Sequence, residues 1–315
     1  MSKSTEVLID GLTFTEGPRW REGKLYFSDF FTHRVLAVDT PHQPSGLGWL
    51  PDGSMLIVSM NDQKLLCFAD GKLTEAADLS QLANHYCNDM VVDKKGYAYV
   101  GNFGFDLHAR EAIKPTNLIL VRPGEEPCEV AENIFFPNGT VITPDDKTLI
   151  LGETFASCLT AFDINEDGTL ANRRVWADLR TIEEGYSPVP DGICLDAEGA
   201  IWVASPSTND VIRVQEGGAL LDKVEVDRGA FACMLGGESG NTLFISTAND
   251  SQEETCLKEK SARIANTPDS GKKGGKADTY EDRTKDELYK QAKKVGIDGR
   301  SNMSKKELIK ALRNN

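Results

Sequence analysis

The chain has 315 residues, of which 40% are hydrophobic, and a formal net charge of −14 at pH 7. This length accommodates one large domain with an appendage, or two domains. The acidic balance argues against nucleic acid as a partner of the whole chain. No run approaches the roughly 18 apolar residues of a membrane span, so we expect no membrane partner.

The cysteines and the first residues favour a cytoplasmic location. The seven cysteines are scattered, odd in number and never in a CxxC pattern. This usage argues for reduced thiols rather than a disulfide framework or a zinc ribbon. The opening residues lack the longer apolar core of a secretory signal. We therefore predict a cytoplasmic protein.

The charge divides the chain into an acidic body and a basic tail. Residues 1–269 hold 22 basic and 42 acidic residues, whereas residues 270–315 hold 13 basic and 7 acidic ones. Residues 267–283 have the Gly, Lys and Asp composition of a flexible linker. We predict a body at 1–266, this linker, and a small C-terminal unit at 284–315.

A hairpin pattern occurs six times in the body. Each copy has a small or polar opening pair, a short strand, a turn rich in Gly, Asp or Pro, and an apolar strand. The copies start at residues 16, 45, 88, 138, 191 and 233. Four-stranded propeller blades recur about every 40–50 residues, so the pattern predicts an all-β, six-bladed β-propeller.

The segments between the hairpins supply the outer strands of the blades. The N-terminal "EVLIDGLTF" is predicted to pair with the last blade and close the ring, because an open ring leaves strand edges exposed. Only five residues, Thr40 to Pro44, separate "RVLAVD" from the second hairpin. We expect a thinned first blade without a full fourth strand. We also expect the sixth blade to be thinned, because the propeller sequence after its hairpin ends early.

Carboxylate or carboxamide side chains open four of the six hairpins, and Ser45 opens a fifth. The first strand of each blade lines the central channel, so Glu16, Asn88, Asn138 and Asp191 are predicted to gather at its mouth. Carboxylate and amide oxygens are the ligands of Ca²⁺ and other hard divalent cations. Asn-Gly and Asp-Gly are also ordinary turn dipeptides, so each residue alone has a turn interpretation. Their shared position in the repeat favours convergence on a cation.

Five motifs carry a family resemblance: "TEGPRW…LYFSD", "CNDMVVD…YVGN", "FPNGTVITPDDKTL", "VPDGICLDAEGAIWVA" and "FACMLGG…TLFISTA". Together they resemble the regucalcin and gluconolactonase family (senescence marker protein family) of six-bladed propellers, from about Glu6 to Ile264. Its members are metal-dependent lactonases and related hydrolases, including relatives that cleave organophosphates. The resemblance implies that Glu16, Asn138 and Asp191 bind one divalent metal, Ca²⁺ foremost, with Zn²⁺, Mg²⁺ or Mn²⁺ as alternatives.

The substrate side of the site departs from the family. Gluconolactonase members have an Arg two residues before the Asn of the third hairpin, where it grips the sugar, and here that position is Tyr86. Asn88 is implied to contact the substrate or to ligate the metal as well. The substitution argues against a polyol lactone and in favour of a less hydrophilic lactone or ester.

The chemistry expected of such a site is ring opening of a lactone by metal-activated water. Asp191 is the predicted base that takes a proton from the water, and Glu16 is predicted to place its negative charge at the metal. The roles of metal ligand and base compete for Asp191. No GxSxG or HExxH motif occurs. Cys87 is expected to be an inert buried thiol. Two alternatives stay open: an organophosphate hydrolase with the same metal, and a non-catalytic calcium-binding scaffold.

The basic tail carries two helix signals. Thr284 with Glu287 and Ser304 with Glu307 match capping boxes, and apolar stripes follow each. The pattern resembles the helical unit of SAP and Rho N-terminal domains, which often touches nucleic acid. The alternatives are a solvated helical hairpin that aids solubility or docks on a protein partner, and a unit that docks electrostatically on its own acidic propeller or on another subunit. The residues predicted to contact phosphates or a partner are Lys293, Lys294, Arg300, Lys305 and Lys306.

Overall fold

A computed structural model describes residues 5–35, 38–249, 251, 262–267, 284–294 and 303–313. The chain divides into two compact units, residues 1–272 and residues 273–315. The first unit is a β-propeller and the second contains a pair of short helices.

The propeller consists of six antiparallel sheets of four strands each. The innermost strands are β2 (Thr15–Arg21), β6 (Pro44–Trp49), β10 (Cys87–Val92), β14 (Pro137–Ile142), β18 (Ile193–Leu195) and β22 (Gly229–Gly236). The second strands are β3 (Lys24–Asp29), β7 (Met55–Ser59), β11 (Ala98–Asn102), β15 (Thr148–Glu153), β19 (Ile201–Ser205) and β23 (Thr242–Ala248). The third strands are β4 (Arg34–Val35), β8 (Lys64–Ala69), β12 (Thr116–Val121), β16 (Cys158–Ile164), β20 (Asp210–Val214) and β24 (Ala262–Thr267). The outer strands are β5 (Val38–Asp39), β9 (Lys72–Asp78), β13 (Cys128–Ile134), β17 (Leu170–Asp178), β21 (Leu220–Glu225) and β1 (Glu6–Leu12).

The ring is closed by the N-terminal strand, and the six-bladed prediction is confirmed. Innermost strands of consecutive blades contact one another around the ring, and β22 contacts β2. Strand β1 pairs antiparallel with β24, with Glu6 opposite Asn266 and Ile9 opposite Ile264. The sixth blade thus takes its outer strand from the start of the chain, which leaves β24 paired on both sides.

The first blade differs in detail from its prediction. The segment "RVLAVD", expected to be one strand, contains both β4 and β5, each two residues long. Arg34 lies opposite Asp39 and Val35 opposite Val38. The blade therefore has four strands, but its outer hairpin is very short because few residues separate the first two hairpins.

Apolar side chains form one cluster at each interface between neighbouring blades. Strands β7, β11, β15 and β19 are apolar over most of their length because a blade packs on each of their faces. Between the first and sixth blades, Trp20 stacks on Phe244 with ring centroids 5.3 Å apart. A seventh cluster of Phe and Met side chains lies at one end of the channel.

Three of the four candidate ligands, Glu16, Asn88 and Asn138, lie at strand irregularities. The pairing shifts between Glu16 and Arg19 in β2, between Cys87 and Met90 in β10, and between Pro137 and Thr140 in β14. A β-bulge bends its strand and re-aims the side chains beside it. The bulges direct these side chains toward the channel axis.

The glycine after the polar residue permits close approach of the next blade. A Cβ on Gly139 would lie 2.3 Å from the backbone nitrogen of Ile193, and one on Gly46 would lie 2.4 Å from that of Met90. The amide of Gly139 donates to the carbonyl of Asp191 at 3.1 Å. The Asn-Gly pair therefore joins two inner strands and does not form a turn.

The second unit contains helices α1 (Lys285–Lys294) and α2 (Lys305–Arg313). Leu288 and Leu308 are buried against each other. The backbone amide of Ser304 donates to Glu307 Oε2 at 2.7 Å, and the amide of Glu307 donates to Ser304 Oγ at 3.3 Å, so this capping box forms. None of the described helices is long and apolar enough to cross a membrane.

Candidate functional site

A cavity of about 190 Å³ lies at one end of the central channel. It is lined by Glu16, Asn88, Asn138 and Asp191, the four side chains singled out in the sequence. They come from β2, β10, β14 and the residues just before β18. Asn88, Asn138 and Asp191 are buried, and Glu16 is half-buried. The structure thus brings four oxygen-bearing side chains from four blades to one small space.

The two amides are held with their nitrogens turned into the fold. Asn88 Nδ2 donates to the carbonyl of Pro137 at 3.1 Å, and that carbonyl can only accept. Asn138 Nδ2 donates to Thr154 Oγ1 at 3.3 Å, while Thr154 gives its own hydrogen to the carbonyl of Pro190 at 2.9 Å. These partners fix the orientation of both amides, and both amide oxygens remain available to a ligand.

The two carboxyl groups are unusual acids. Desolvation by burial raises the pKa of Asp191 to about 8. A hydrogen bond from Asn138 lowers this pKa, and the negative charge of Asp89 raises it further. Desolvation also raises the pKa of Glu16, with further contributions from Asp191 and Asp89. Without a cation, the cavity therefore favours protonated carboxyl groups. A bound dication would reverse that preference.

An ion pair lies deeper in the channel. Arg19 of β2 reaches Asp89 of β10, with Arg19 Nη2 3.1 Å from Asp89 Oδ1, and the same nitrogen donates to the carbonyl of Met90 at 2.7 Å. Arg19 also lines a second cavity of about 380 Å³ with Trp49, Val92 and other apolar residues. The pair thus lies between the oxygen-lined cavity and this apolar space. Sequence reasoning missed both residues because they belong to different blades.

Aromatic side chains surround the polar floor of the first cavity in two groups. One, the blade 1/6 wall, consists of Phe14, Phe30, Phe31 and Phe231. The other, the blade 3/4 wall, consists of Tyr86, Phe103, Phe136 and Phe155. The sequence contained a signal for three of them: Phe14, Tyr86 and Phe136 each lie two residues before a polar cavity residue.

Two buried carboxylates at the ends of second strands hold the chain that precedes an inner strand. Asp29 Oδ1 accepts from the backbone amides of Thr13 at 3.0 Å and Phe14 at 2.9 Å. Glu153 Oε2 accepts from the amide of Phe135 at 2.9 Å. Asp29 and Glu153 thus position the entrances to β2 and β14, and neither was identified from the sequence.

Several nearby side chains do not line the cavity. Tyr186 donates its hydroxyl to Asp210 Oδ2 at 2.6 Å. Phe105 packs behind the wall against Phe136 and Phe155. His85 does not line the cavity, whereas His108 does. Cys87 is buried, and burial raises the pKa of its thiol to about 12, which leaves it protonated and unreactive.

The predicted tail contacts are only partly described. Lys293 is exposed on α1, and on α2 Lys306 is exposed and Lys305 half-buried. Lys294 lies on α1 with a side chain outside the described residues, and Arg300 is outside them altogether. Contact with nucleic acid or protein therefore stays a prediction.

The donor set suits a hard cation. Within the described ranges, no group of three or more His, Cys, Asp or Glu side chains is placed to hold a metal. Two of the four cavity donors are amides, and such mixed carboxylate and amide sets are typical of Ca²⁺ sites and atypical of zinc sites.

Comparison with known proteins agrees with this architecture. The family model "SMP-30/Gluconolactonase/LRE-like region" matches residues 14–249. The chain therefore belongs to this family of regucalcin- and gluconolactonase-like six-bladed propellers.

Among its relatives, the chain is 26% identical to regucalcin of Xenopus laevis over 274 residues, covering 81% of this chain and 89% of the relative. It is also 26% identical to a 6-deoxy-6-sulfogluconolactonase of Pseudomonas putida over 251 residues, covering 75% and 84%.

Solved structures show the same fold. A luciferin-regenerating enzyme superposes with a TM-score of 0.73 at 18% identity, covering 87% of this chain and 98% of that one. A calcium-binding regucalcin from Agrobacterium tumefaciens superposes with a TM-score of 0.70 at 21% identity, covering 85% and 94%.

Proposed function

We propose that the protein is a metal-dependent hydrolase that opens a lactone with a water molecule. The observation that carries the proposal is the set of two carboxyl groups and two oriented amides in one cavity. Lactonase relatives and a calcium-binding structural neighbour support it. The reaction adds water across the ring ester and yields a hydroxy acid.

The residues present fit a divalent cation. Glu16, Asn138 and Asp191 would hold it, and Asn88 would hold it or the substrate. The amide oxygens are free because their nitrogens are bound to Pro137 and Thr154. Ca²⁺ is our first choice, with Zn²⁺, Mg²⁺ and Mn²⁺ as alternatives. When bound, the cation would supply Lewis-acid polarisation of the lactone carbonyl and neutralise developing negative charge.

Asp191 is the proposed catalytic residue. Its carboxylate accepts a proton from the water that attacks the carbonyl carbon, as a new carbon–oxygen bond forms. The same carboxyl group returns the proton to the alkoxide that leaves when the ring bond breaks. Glu16 holds a second negative charge nearby, and Asn88 and Tyr86 contact the substrate. The buried position of Asp191 keeps the proton transfer away from bulk water.

The test begins with chelator-treated protein. Single divalent metals are titrated into it one at a time, and calorimetry measures their binding. Initial rates are then measured on a panel of lactones and phosphotriesters, with Asp191→Asn beside Asp52→Asn, a change at an exposed carboxylate in the β6–β7 turn. We expect lactone hydrolysis to require added metal. Its initial rate should fall at least 100-fold in Asp191→Asn and stay within twofold of the original protein in Asp52→Asn.

Two results would contradict the proposal in different ways. Turnover of phosphotriesters without lactones would assign the site to organophosphate chemistry. Tight metal binding with no turnover on either panel would leave a non-catalytic calcium-binding propeller.

A further inference from the structure

The two aromatic walls of the cavity lie on opposite sides of the channel. In a ring of six blades, the first blade is opposite the fourth, and the sixth is opposite the third. The blade 1/6 wall and the blade 3/4 wall therefore face each other across the space above the oxygen donors. Met60 of the second blade and Pro206 of the fifth lie between the walls.

Each wall is held together by its own ring contacts. In the blade 1/6 wall, Phe14 meets Phe231 edge-on with centroids 4.7 Å apart. In the blade 3/4 wall, Phe136 lies 4.5 Å from Phe103 and meets Phe155 at 5.1 Å and an interplanar angle of 87°. Such packed rings have little rotational freedom, so the two surfaces are preformed for a flat apolar group.

The backbone of Phe136 supports this view. Its φ is +62°, in the left-handed region that bulky residues rarely adopt. Its neighbours hold this conformation: the carbonyl of Phe136 accepts from the amide of Thr154 at 3.2 Å. Strained residues of this kind concentrate at ligand sites. Here the strained residue lines the same cavity as Asn138.

Apart from the proposed cation, the side chains that line the cavity offer no fixed positive charge to an anionic substrate. Its described lining residues include neither Lys nor Arg, and the deeper Arg19 is engaged by Asp89. The volume of about 190 Å³ also limits the substrate. An apolar cavity of about 150 Å³ holds one benzene molecule, so this cavity has room for one aromatic ring and not for a second.

We propose that the preferred substrate is an uncharged lactone bearing one aromatic ring, which the two walls grip while the ester lies at the oxygen donors. This inference rests on the proposed function and specifies its substrate class. It separates this chain from its relative whose named substrate is a sulfonated sugar lactone.

The test compares compounds that differ by one phenyl group. Rates on γ-phenyl-γ-butyrolactone and γ-butyrolactone give a kcat/KM ratio, expected at about 10- to 100-fold from burial of one ring. Calorimetry with 2-phenylcyclopentanone and cyclopentanone, which contain no ester, measures ring binding without turnover. A para-carboxyphenyl lactone tests whether the substrate must be uncharged. It is expected to react at least 10-fold more slowly than the phenyl lactone.

Two neighbouring phenylalanines provide matched variants. Phe155 is 39% exposed and lines the cavity, whereas Phe135 is 37% exposed and does not line it. We expect Phe155→Ala to reduce the phenyl preference about 2- to 12-fold, the worth of one aromatic contact, and Phe135→Ala to leave it within twofold. Phe155→Leu keeps apolar bulk without a ring and should lose part of the preference.

The outcomes separate the two proposals. A Phe155-dependent preference for the phenyl ketone with no hydrolysis would support the aromatic site and overturn the lactonase assignment. Hydrolysis without a phenyl preference, or equal effects of the Phe155 and Phe135 changes, would overturn the aromatic site while the lactonase assignment stands. Equal rates on the charged and uncharged phenyl lactones would overturn the neutrality of the substrate.

Discussion

The buried carboxyl group of Asp191 gives the metal-free protein a distinctive pH dependence. Its pKa is raised from 3.8 to about 8, mainly by desolvation. Below pH 4 the group is protonated in both the folded and unfolded states. As the pH rises toward 8, the unfolded chain releases this proton and the folded chain does not, so the stability present at low pH is lost.

We therefore predict that, in chelator, Asp191→Asn becomes more stable relative to the original protein as the pH is raised from 5 to 8. Urea unfolding at both pH values measures the difference. Asp52→Asn, at an exposed carboxylate whose pKa is lowered, serves as the control. Identical pH slopes for Asp191→Asn and the original protein would show that this carboxyl group is not desolvated.

By the family resemblance of the third hairpin, Tyr86 occupies the position of an arginine in gluconolactonase members. Tyr86→Arg would bring five donors and a positive charge to the cavity wall, and hydrogen bonds to charged groups are worth about 1.5–3 kcal/mol. We predict that kcat/KM on glucono-δ-lactone rises about tenfold or more, with a loss on the phenyl lactone. Tyr86→Phe retains the ring without the charge and should leave the aldonolactone rate low. An unchanged substrate profile in Tyr86→Arg would exclude this position from substrate selection.

Among the elements, the bulged inner strands determine where the ligands point. Gly139 has no space for a Cβ, which would lie 2.3 Å from the backbone of Ile193. Gly139→Ala must push β14 away from the fifth blade, and overpacking of this kind costs about 1–3 kcal/mol. Because Asn138 is adjacent, we also predict weaker metal binding.

Gly152 in the second strand of the same blade is the matched control, since its nearest neighbours would lie 3.3 Å or more from a Cβ. Thermal unfolding and metal titration of Gly139→Ala and Gly152→Ala provide the comparison. If both changes had the same small effect, close approach of the inner strands would not shape the site.

Strand β1 is the element on which ring closure depends. Removal of residues 1–12 would leave β24 as an unpaired edge and expose the cluster that contains Ile264. We predict a lower midpoint of thermal unfolding and self-association, measured by calorimetry and light scattering. A monomeric truncated protein with an unchanged midpoint would mean that closure adds little stability.

At the scale of the whole molecule, the acidic first unit and the basic second unit are expected to have separate roles. All residues of the candidate site lie within residues 1–272. We predict that a chain ending at residue 272 retains lactone hydrolysis within twofold of the full chain. A large loss would show that the second unit contributes to catalysis.

The same pair of proteins tests the proposed nucleic-acid contact. A nucleic-acid contact by the tail predicts that the full chain retards duplex DNA more strongly than the truncated chain, with an affinity that falls steeply as salt rises. Lys293 and Lys306 are exposed, and their joint change to Glu should weaken retardation without loss of the helical pair. Equal retardation of the full and truncated chains would rule out this role for the tail.

The amino-acid sequence determined the parts of this protein that depend on local pattern. The six-fold recurrence of a hairpin gave the blade number, and an unpaired N-terminal strand gave the closure. The phase of the repeat placed Glu16, Asn88, Asn138 and Asp191 at equivalent positions. The blade number and the closure of the ring are confirmed, because strand alternation and turn chemistry act over a few residues and repeat.

Only the tertiary structure decided which side chains from different blades meet. The Arg19–Asp89 pair, the two facing aromatic walls and the orientation of the amides depend on residues that are distant in the chain. The short spacing in the sequence predicted a thinned first blade, but only the structure showed that its outer part consists of two strands, β4 and β5. Such juxtapositions are fixed when the ring closes, and no local pattern records them.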